Sequence, residues 1–164
     1  MKSQERGNFL RSPQPRRRRS RGRMGALLPR YRFALNRYTD VRFSVCPRCE
    51  RATRLRRIPF VIHVDRFGLL VLRKTSRLCV GCDLLIVHQD QLGPLIAEHF
   101  HGPGSGGDVP DYLVLGTVDL RLWRKGLAGA VSVDELVEHM ADFKAYLQIE
   151  YTPGGWYPGD GSAG

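Results

Sequence analysis

The chain contains four cysteines, and all four fall into two Cys-x-x-Cys pairs, Cys46-Pro-Arg-Cys49 and Cys79-Val-Gly-Cys82. Two sulfurs separated by two residues reach one ion from a single tight turn, and four thiolates suit a tetrahedral Zn²⁺. The pairing points to one metal site built from both turns, and it leaves no cysteine for another purpose. Catalytic zinc fits this set poorly, because four protein thiolates fill the tetrahedron and leave no position for water or substrate.

Between Cys49 and Cys79 lie 29 residues, more than the roughly 15–20 of the commonest four-cysteine pattern. A longer β-hairpin accounts for the difference. Leu55–Val64 and Leu69–Arg73 are rich in Ile, Val, Leu and Phe, and Asp65-Arg66-Phe67-Gly68 supplies turn residues between them. Pro59 cannot donate to a ladder, which makes the first segment an edge strand. Two strands rising from one knuckle and returning to the other bring the cysteine pairs together. This arrangement, over about residues 42–88, resembles the zinc-ribbon family, in which two Cys-x-x-Cys knuckles at the base of a β-hairpin hold one zinc. The resemblance implies a structural Zn²⁺ on Cys46, Cys49, Cys79 and Cys82. Many zinc ribbons act within transcription, replication or ribosome-associated assemblies.

Rubredoxin-like iron is the second metal reading, since it uses the same four-thiolate geometry. That family, like many ribbons, places Gly just after each pair, where this chain has Glu50 and Asp83. Disulfides and a thioredoxin-like redox pair fit less well. No stretch near the N-terminus resembles a secretory signal, and one redox pair leaves the second Cys-x-x-Cys unexplained.

Charge divides unevenly along the chain. Residues 1–23 carry nine Lys/Arg against Glu5 alone, centred on an arginine run with no apolar periodicity. Such a segment cannot bury enough surface to offset ordering entropy, so residues 1–29 are expected to form a disordered basic tail. It reads either as an arm that neutralises nucleic-acid phosphates or as an inert extension, and Met24, directly after the run, offers an alternative translation start. Residues 24–77 hold 13 Lys/Arg against Asp40, Glu50 and Asp65, whereas residues 78–164 hold four against 12 acids. Arg48, Arg51, Arg54, Arg56, Arg57, Arg73, Lys74 and Arg77 cluster near the knuckles and the adjoining hairpin ends, a candidate surface for RNA or DNA phosphates or for an acidic protein. The competing reading is internal: the basic half pairs with the acidic half, or offsets the formal −2 of a four-thiolate zinc site. Tyr31, Phe33, Tyr38 and Phe43 alternate with Arg30, Arg32, Arg37 and Arg42, a mixture suited to base stacking. Val41, Phe43 and Val45 read equally as the inward face of a strand entering the first knuckle.

The remainder predicts an α+β fold, a zinc-ribbon hairpin with additional strands and two helices packed against it. Residues 84–88 form a short apolar strand, and Gln89–Phe100 keeps helical spacing with Pro94 tolerated near the first turn. Residues 102–108 are a Gly-rich linker or loop, and Tyr112–Val118 is a strand. A last helix starts at a Ser132/Glu135 capping box and takes its apolar content from Val133, Leu136, Val137, Met140, Phe143 and Leu147. The expected division is one domain over 30–151 with a flexible C-terminal tail over 152–164. With 42% hydrophobic residues and no run near the ~18 apolar residues of a membrane span, the expectation is a soluble cytoplasmic protein.

Catalytic motifs are sparse. The chain has no nucleophile elbow, phosphate-binding Gly-Lys-Ser/Thr loop or dinucleotide fingerprint. His99-x-His101 with His63 and His88 suggests a second metal only weakly, and Asp111, Asp119, Asp134 and Glu135 are explained by strand ends and capping. Two functions remain: a zinc protein whose basic ribbon contacts nucleic acid or an acidic partner, and an enzyme or enzyme subunit with structural zinc and chemistry near His88, His99 or Asp119.

Overall fold

A computed structural model of the chain describes residues 23–104 and 107–150. Residues 1–22, with most of the N-terminal arginine run, and the expected C-terminal tail over 152–164 lie outside the described residues. Strands β2 (Arg54–Val64) and β3 (Gly68–Cys79) form one long antiparallel hairpin, in register from Arg54 opposite Leu78 to Val64 opposite Gly68. The turn between them needs a left-handed backbone, which Arg66 (φ 74°) and Gly68 (φ 95°) supply. The hairpin follows the sequence expectation; the edge position of β2 does not. From Phe60 onward β2 also pairs antiparallel with β5 (Tyr112–Val118), so it is internal there and an edge only over its first part. Pro59 sits one residue before the second ladder begins, which is how an internal strand accommodates it.

Seven strands form one sheet in the order β6-β5-β2-β3-β4-β1-β7, with β1 at Arg32–Asn36, β4 at Leu84–His88, β6 at Met140–Asp142 and β7 at Ala145–Tyr146. The two ends of this order, β6 and β7, are consecutive in the chain, separated only by Phe143 and Lys144. The sheet therefore curls until it meets itself. Residues 24–31, which the sequence reading assigned largely to the basic tail, run along β6 and lead into β1: Leu27 N donates to Met140 O (3.0 Å), Arg30 N to Asp142 O (2.8 Å) and Lys144 N to Tyr31 O (2.7 Å). Gly25 and Gly116 flank β6 so closely that a Cβ on either would strike β6 backbone, Met140 O in one case and Ala141 O in the other.

Strand alternation then sorts the core. Phe33, Phe60, Ile62, Val64, Leu85, Val87 and Val114 point inward, where Phe33 and Phe143 stack with centroids 4.6 Å apart. Helix α1 (Gln89–His101) adds Leu92 and Ile96 to the same cluster. Strand β4 is buried on both faces: Leu85 and Val87 face the interior, Leu84 and Ile86 an outer cluster under the cysteines. A third cluster on the other outer face holds Val61, Val118, Leu122, Leu136 and Met140.

The helices depart from expectation in three places. Pro94 stands at the sixth residue of α1 rather than in its first turn, and the helix nonetheless continues to His101. A helix the sequence did not suggest, α2 (Leu120–Ala128), is capped by the Asp119 carboxylate accepting from Leu122 N (2.9 Å); only Leu122 is buried, so it leaves little apolar signal. The last helix, α3 (Val133–Glu138), begins at Ser132 as expected, with Ser132 Oγ accepting from Glu135 N (3.1 Å), but stops after six residues. Met140 and Phe143, whose spacing suggests its continuation, belong instead to strand β6 and the connector after it, and enter different clusters. No helix among the described residues is long and apolar enough to cross a membrane.

Candidate metal centre

Cys46 and Cys49 occupy a tight turn ahead of β2. An isolated antiparallel bridge between Val45 and Ala52 closes it, with Cys46 N donating to Arg51 O (2.8 Å) and Glu50 N to Cys46 O (2.9 Å). Its base is fixed by Thr53, whose N donates to Ser44 O and whose buried Oγ1 donates to Phe43 O (2.8 Å). Cys79 and Cys82 form the matching turn between β3 and β4, at the last rung of the β3–β4 ladder, Cys79 opposite Leu84. Glu50 (φ 67°) and Asp83 (φ 56°) both take the left-handed conformation. These are the positions after each pair where Gly is usual, so the turns adopt the knuckle shape at a local backbone cost of about 1 kcal/mol each.

The four sulfurs lie within 4.8 Å of one another. Cys46 Sγ is 3.9 Å from Cys82 Sγ and Cys49 Sγ 3.5 Å from Cys79 Sγ. A tetrahedron with metal–sulfur bonds of about 2.3 Å has edges of about 3.8 Å, so both distances match a shared ion, whereas a disulfide needs about 2.05 Å. Backbone N–H groups already point at the sulfurs: Arg48 N to Cys46 Sγ (3.3 Å) and Cys82 N to Cys79 Sγ (3.4 Å). Such donors stabilise thiolate charge. The Arg51 backbone N–H holds Cys49 down at about 7, while burial pushes Cys82 up to about 12 and Cys79 upward as well. Cys49 thus ionises readily, whereas Cys79 and Cys82 need a cation beside them before they follow. The donor set fits a thiophilic metal ion held by all four residues.

Around the sulfurs the chain braces the second turn from three directions. Arg32 Nη1 on β1 donates to Cys82 O (2.7 Å), Lys144 Nζ pairs with Asp83 Oδ2 (2.8 Å), and the Arg51 guanidinium crosses from the first turn to lie over Gly81, where a Cβ would come within 2.8 Å of Nη1. Arg32 and Lys144 carried no local sequence signal for this role, because they reach the site from β1 and from the β6–β7 connector, both distant in the chain. Beneath lies the outer apolar cluster, in which Cys46 and Cys79 are buried alongside Ala34, Phe43, Leu84 and Ile86.

The eight basic candidates do not share one face. Arg48, Arg51, Arg54, Arg56 and Arg57 are exposed; Arg73 and Arg77 are half-buried. The register places Arg54 and Arg56 on the side of the hairpin that continues into the interior, and Arg57, Arg73 and Arg77 on the opposite side. Lys74 is buried, donating to Gln91 Oε1 (2.7 Å) and Thr75 O (2.9 Å), and burial pushes its pKa down. The ion pairs formed among the described residues are Arg42–Asp90, Lys125–Glu135, His139–Asp119 and Lys144–Asp83. None of the seven candidate arginines forms an ion pair with a described carboxylate. Tyr31, Phe33 and Phe43 are buried and Tyr38 is half-buried, which removes the aromatic stacking surface considered for residues 31–43. Nor does Val41–Val45 form a strand; Phe43 turns inward through a left-handed backbone (φ 52°).

His88, His99 and Asp119 stand on separate elements. His88 is buried against Asn36, whose Nδ2 donates to His88 Nδ1 (2.9 Å) and to Val41 O (2.7 Å) while its Oδ1 accepts from Tyr38 N (2.9 Å). His99 is exposed on α1, and Asp119 caps α2. Among the described residues, the four cysteines are the one group of three or more His, Cys, Asp or Glu ligand atoms gathered closely enough for a metal.

Comparison with protein-family profiles, curated proteins and solved structures gives no match. Fold and site together define the class directly: a mixed α+β protein with a seven-stranded curled sheet and a four-cysteine cluster positioned to bind a metal ion.

Proposed function

We propose that the chain is a structural zinc protein whose hairpin base binds the phosphate backbone of RNA or single-stranded DNA. Zn²⁺ on Cys46, Cys49, Cys79 and Cys82 joins the turn before β2 to the turn after β3, and so sets the ends of the hairpin against β1 and β4. Four thiolates complete a tetrahedral shell, which favours a staple over a catalytic ion. Iron in the same ligands is the alternative metal, distinguished by its visible absorption.

The observation that carries the nucleic-acid reading is the set of exposed arginines Arg48, Arg51, Arg54, Arg56 and Arg57 beside the centre, none ion-paired with a described carboxylate. Unpaired guanidinium groups on a rigid turn and strand are suited to phosphate contacts that position without reading sequence. The test is binding of single-stranded RNA and DNA to the full chain across a salt series, wild type against Arg54→Gln/Arg56→Gln/Arg57→Gln. The N-terminal arginines contribute equally to both proteins. A strand bound on one side of the hairpin loses one or two phosphate contacts in this variant, and the slope of log K against log salt falls by about 0.7 per contact. Identical slopes would remove the hairpin from the binding surface and leave an acidic protein as the partner to seek.

A further inference from the structure

The curled sheet is split along one seam. Strand β5 pairs with β6 only from Gly116 opposite Asp142 to Val118 opposite Met140; toward its N-terminal end β5 and the chain after β7 diverge. A cavity of about 610 Å³ opens between them, walled by Phe33, Leu35, Tyr112, Val114, Tyr146 and Ile149, with Arg37 and Glu150 as its charged lining.

Both walls carry main-chain groups with no hydrogen-bond partner among the described residues. Asp65 N donates to Asp111 O (2.8 Å), so in the antiparallel β2–β5 ladder residues 111 and 113 face β2, and Tyr112 and Val114 direct their N–H and C=O into the seam. Val114 confirms the parity: its carbonyl accepts from the Tyr146 hydroxyl (2.7 Å), a side chain filling the place of a neighbouring strand. The remaining seam-facing groups of Tyr112 and Val114 have no partner among the described residues. On the other wall, backbone pairing with β1 ends where Leu147 N donates to Phe33 O, and residues 148–150 make no backbone hydrogen bond to another described residue.

We propose that this seam is a strand-addition site, receiving an extended segment of a partner protein along the free edge of β5. A small apolar ligand would use the cavity walls yet leave the row of donors and acceptors unmet; an extended backbone meets both. The segment's alternate side chains enter the cavity toward Phe33 and Leu35, and the others lie outside beside Leu113, which is 55% exposed. Apolar residues at every second position therefore define the partner. The site is separate from the metal centre and does not rest on the nucleic-acid reading.

The test follows backbone amides by NMR in the metal-loaded full chain. The probe is acetyl-Lys-Val-Thr-Val-Thr-Val-Lys-amide, compared with the same peptide N-methylated at alternate residues. Strand addition predicts shift changes at residues 112–114 and 146–150, at least tenfold weaker binding of the N-methylated peptide, and several-fold tighter binding to Tyr146→Phe, which frees the Val114 carbonyl. Equal response to both peptides would overturn the proposal in favour of a plain apolar pocket, and no response would overturn it outright. So would amides of Tyr112 and Val114 already protected from exchange in the free chain, since the edge would then be paired by the chain's own residues.

Discussion

Replacing Asn36 by Ala should cost about 3–5 kcal/mol. Asn36 is 1% exposed and saturates three neighbours at once: His88 Nδ1, Val41 O and Tyr38 N, at 2.9, 2.7 and 2.9 Å. Removing the carboxamide leaves two acceptors and one donor in a site largely closed to water. Each such group costs about 1–3 kcal/mol when left unsatisfied, with the lower end applying where the loop can reopen to solvent. The loop here is 37–43, which leads into the first cysteine turn, so Tyr38 and Val41 recover part of their loss by moving outward and His88 does not. The penalty is a large fraction of the 5–15 kcal/mol by which domains are ordinarily stable. Urea unfolding of metal-loaded protein at pH 7.5 measures it from the shift in midpoint at unchanged m-value. A loss below 1 kcal/mol would refute the reasoning, since it would mean the three groups are already hydrated in the native state.

Other expectations follow from the same geometry. Burial, and then the Arg42 guanidinium, hold the His88 pKa below its usual value; its neutral form is favoured by folding, so this contribution is complete above about pH 6.5 and is lost as pH falls from there toward the folded-state pKa. Stability measured between pH 7.5 and 5 should therefore decline, and His88→Gln should flatten the slope; an unchanged slope assigns the decline to other groups. Glu50 is exposed at φ 67°, so Glu50→Gly should raise the melting temperature by the equivalent of about 0.5 kcal/mol, strain relief of about 1 kcal/mol less the greater unfolded-state freedom of glycine. A drop in melting temperature would show that the side chain contributes more than its backbone costs. Gly116→Ala drives a Cβ into the backbone at Ala141 and should destabilise by about 1–3 kcal/mol in the same unfolding assay; a neutral result would mean that β5 and β6 separate without cost.

What could be read from the chain before folding was local. The cysteine pairs, the β2–β3 hairpin with its Asp65–Gly68 turn, the apolar run Leu84–Val87 of β4 and the Ser132 cap each carry their signal within a few residues, and each forms where that signal lies. The losses are non-local. Strand β1 hides behind alternating arginines because Arg32 bonds the second cysteine turn while Phe33 enters the core. Met140, Phe143 and Leu147 keep helical spacing by coincidence, since three separate apolar clusters recruit them. Lys74 resembles its basic neighbours in sequence, yet the strand pleat turns it toward Gln91. Closure of the sheet through residues 24–31 depends on contacts more than 100 residues apart, which no local window contains.

The central claim is that Cys46, Cys49, Cys79 and Cys82 share one structural zinc. Its most direct measurement is the metal content of the purified full chain, by elemental analysis, together with the melting temperature of wild type and Cys79→Ser. The account predicts one zinc per chain, tetrahedral cobalt–thiolate absorption on substitution, and a Cys79→Ser protein with reduced zinc and lowered stability, because binding free energy contributes to folding. Full zinc and an unchanged melting temperature in Cys79→Ser, or a wild-type protein that folds equally well after the metal is stripped, would contradict it.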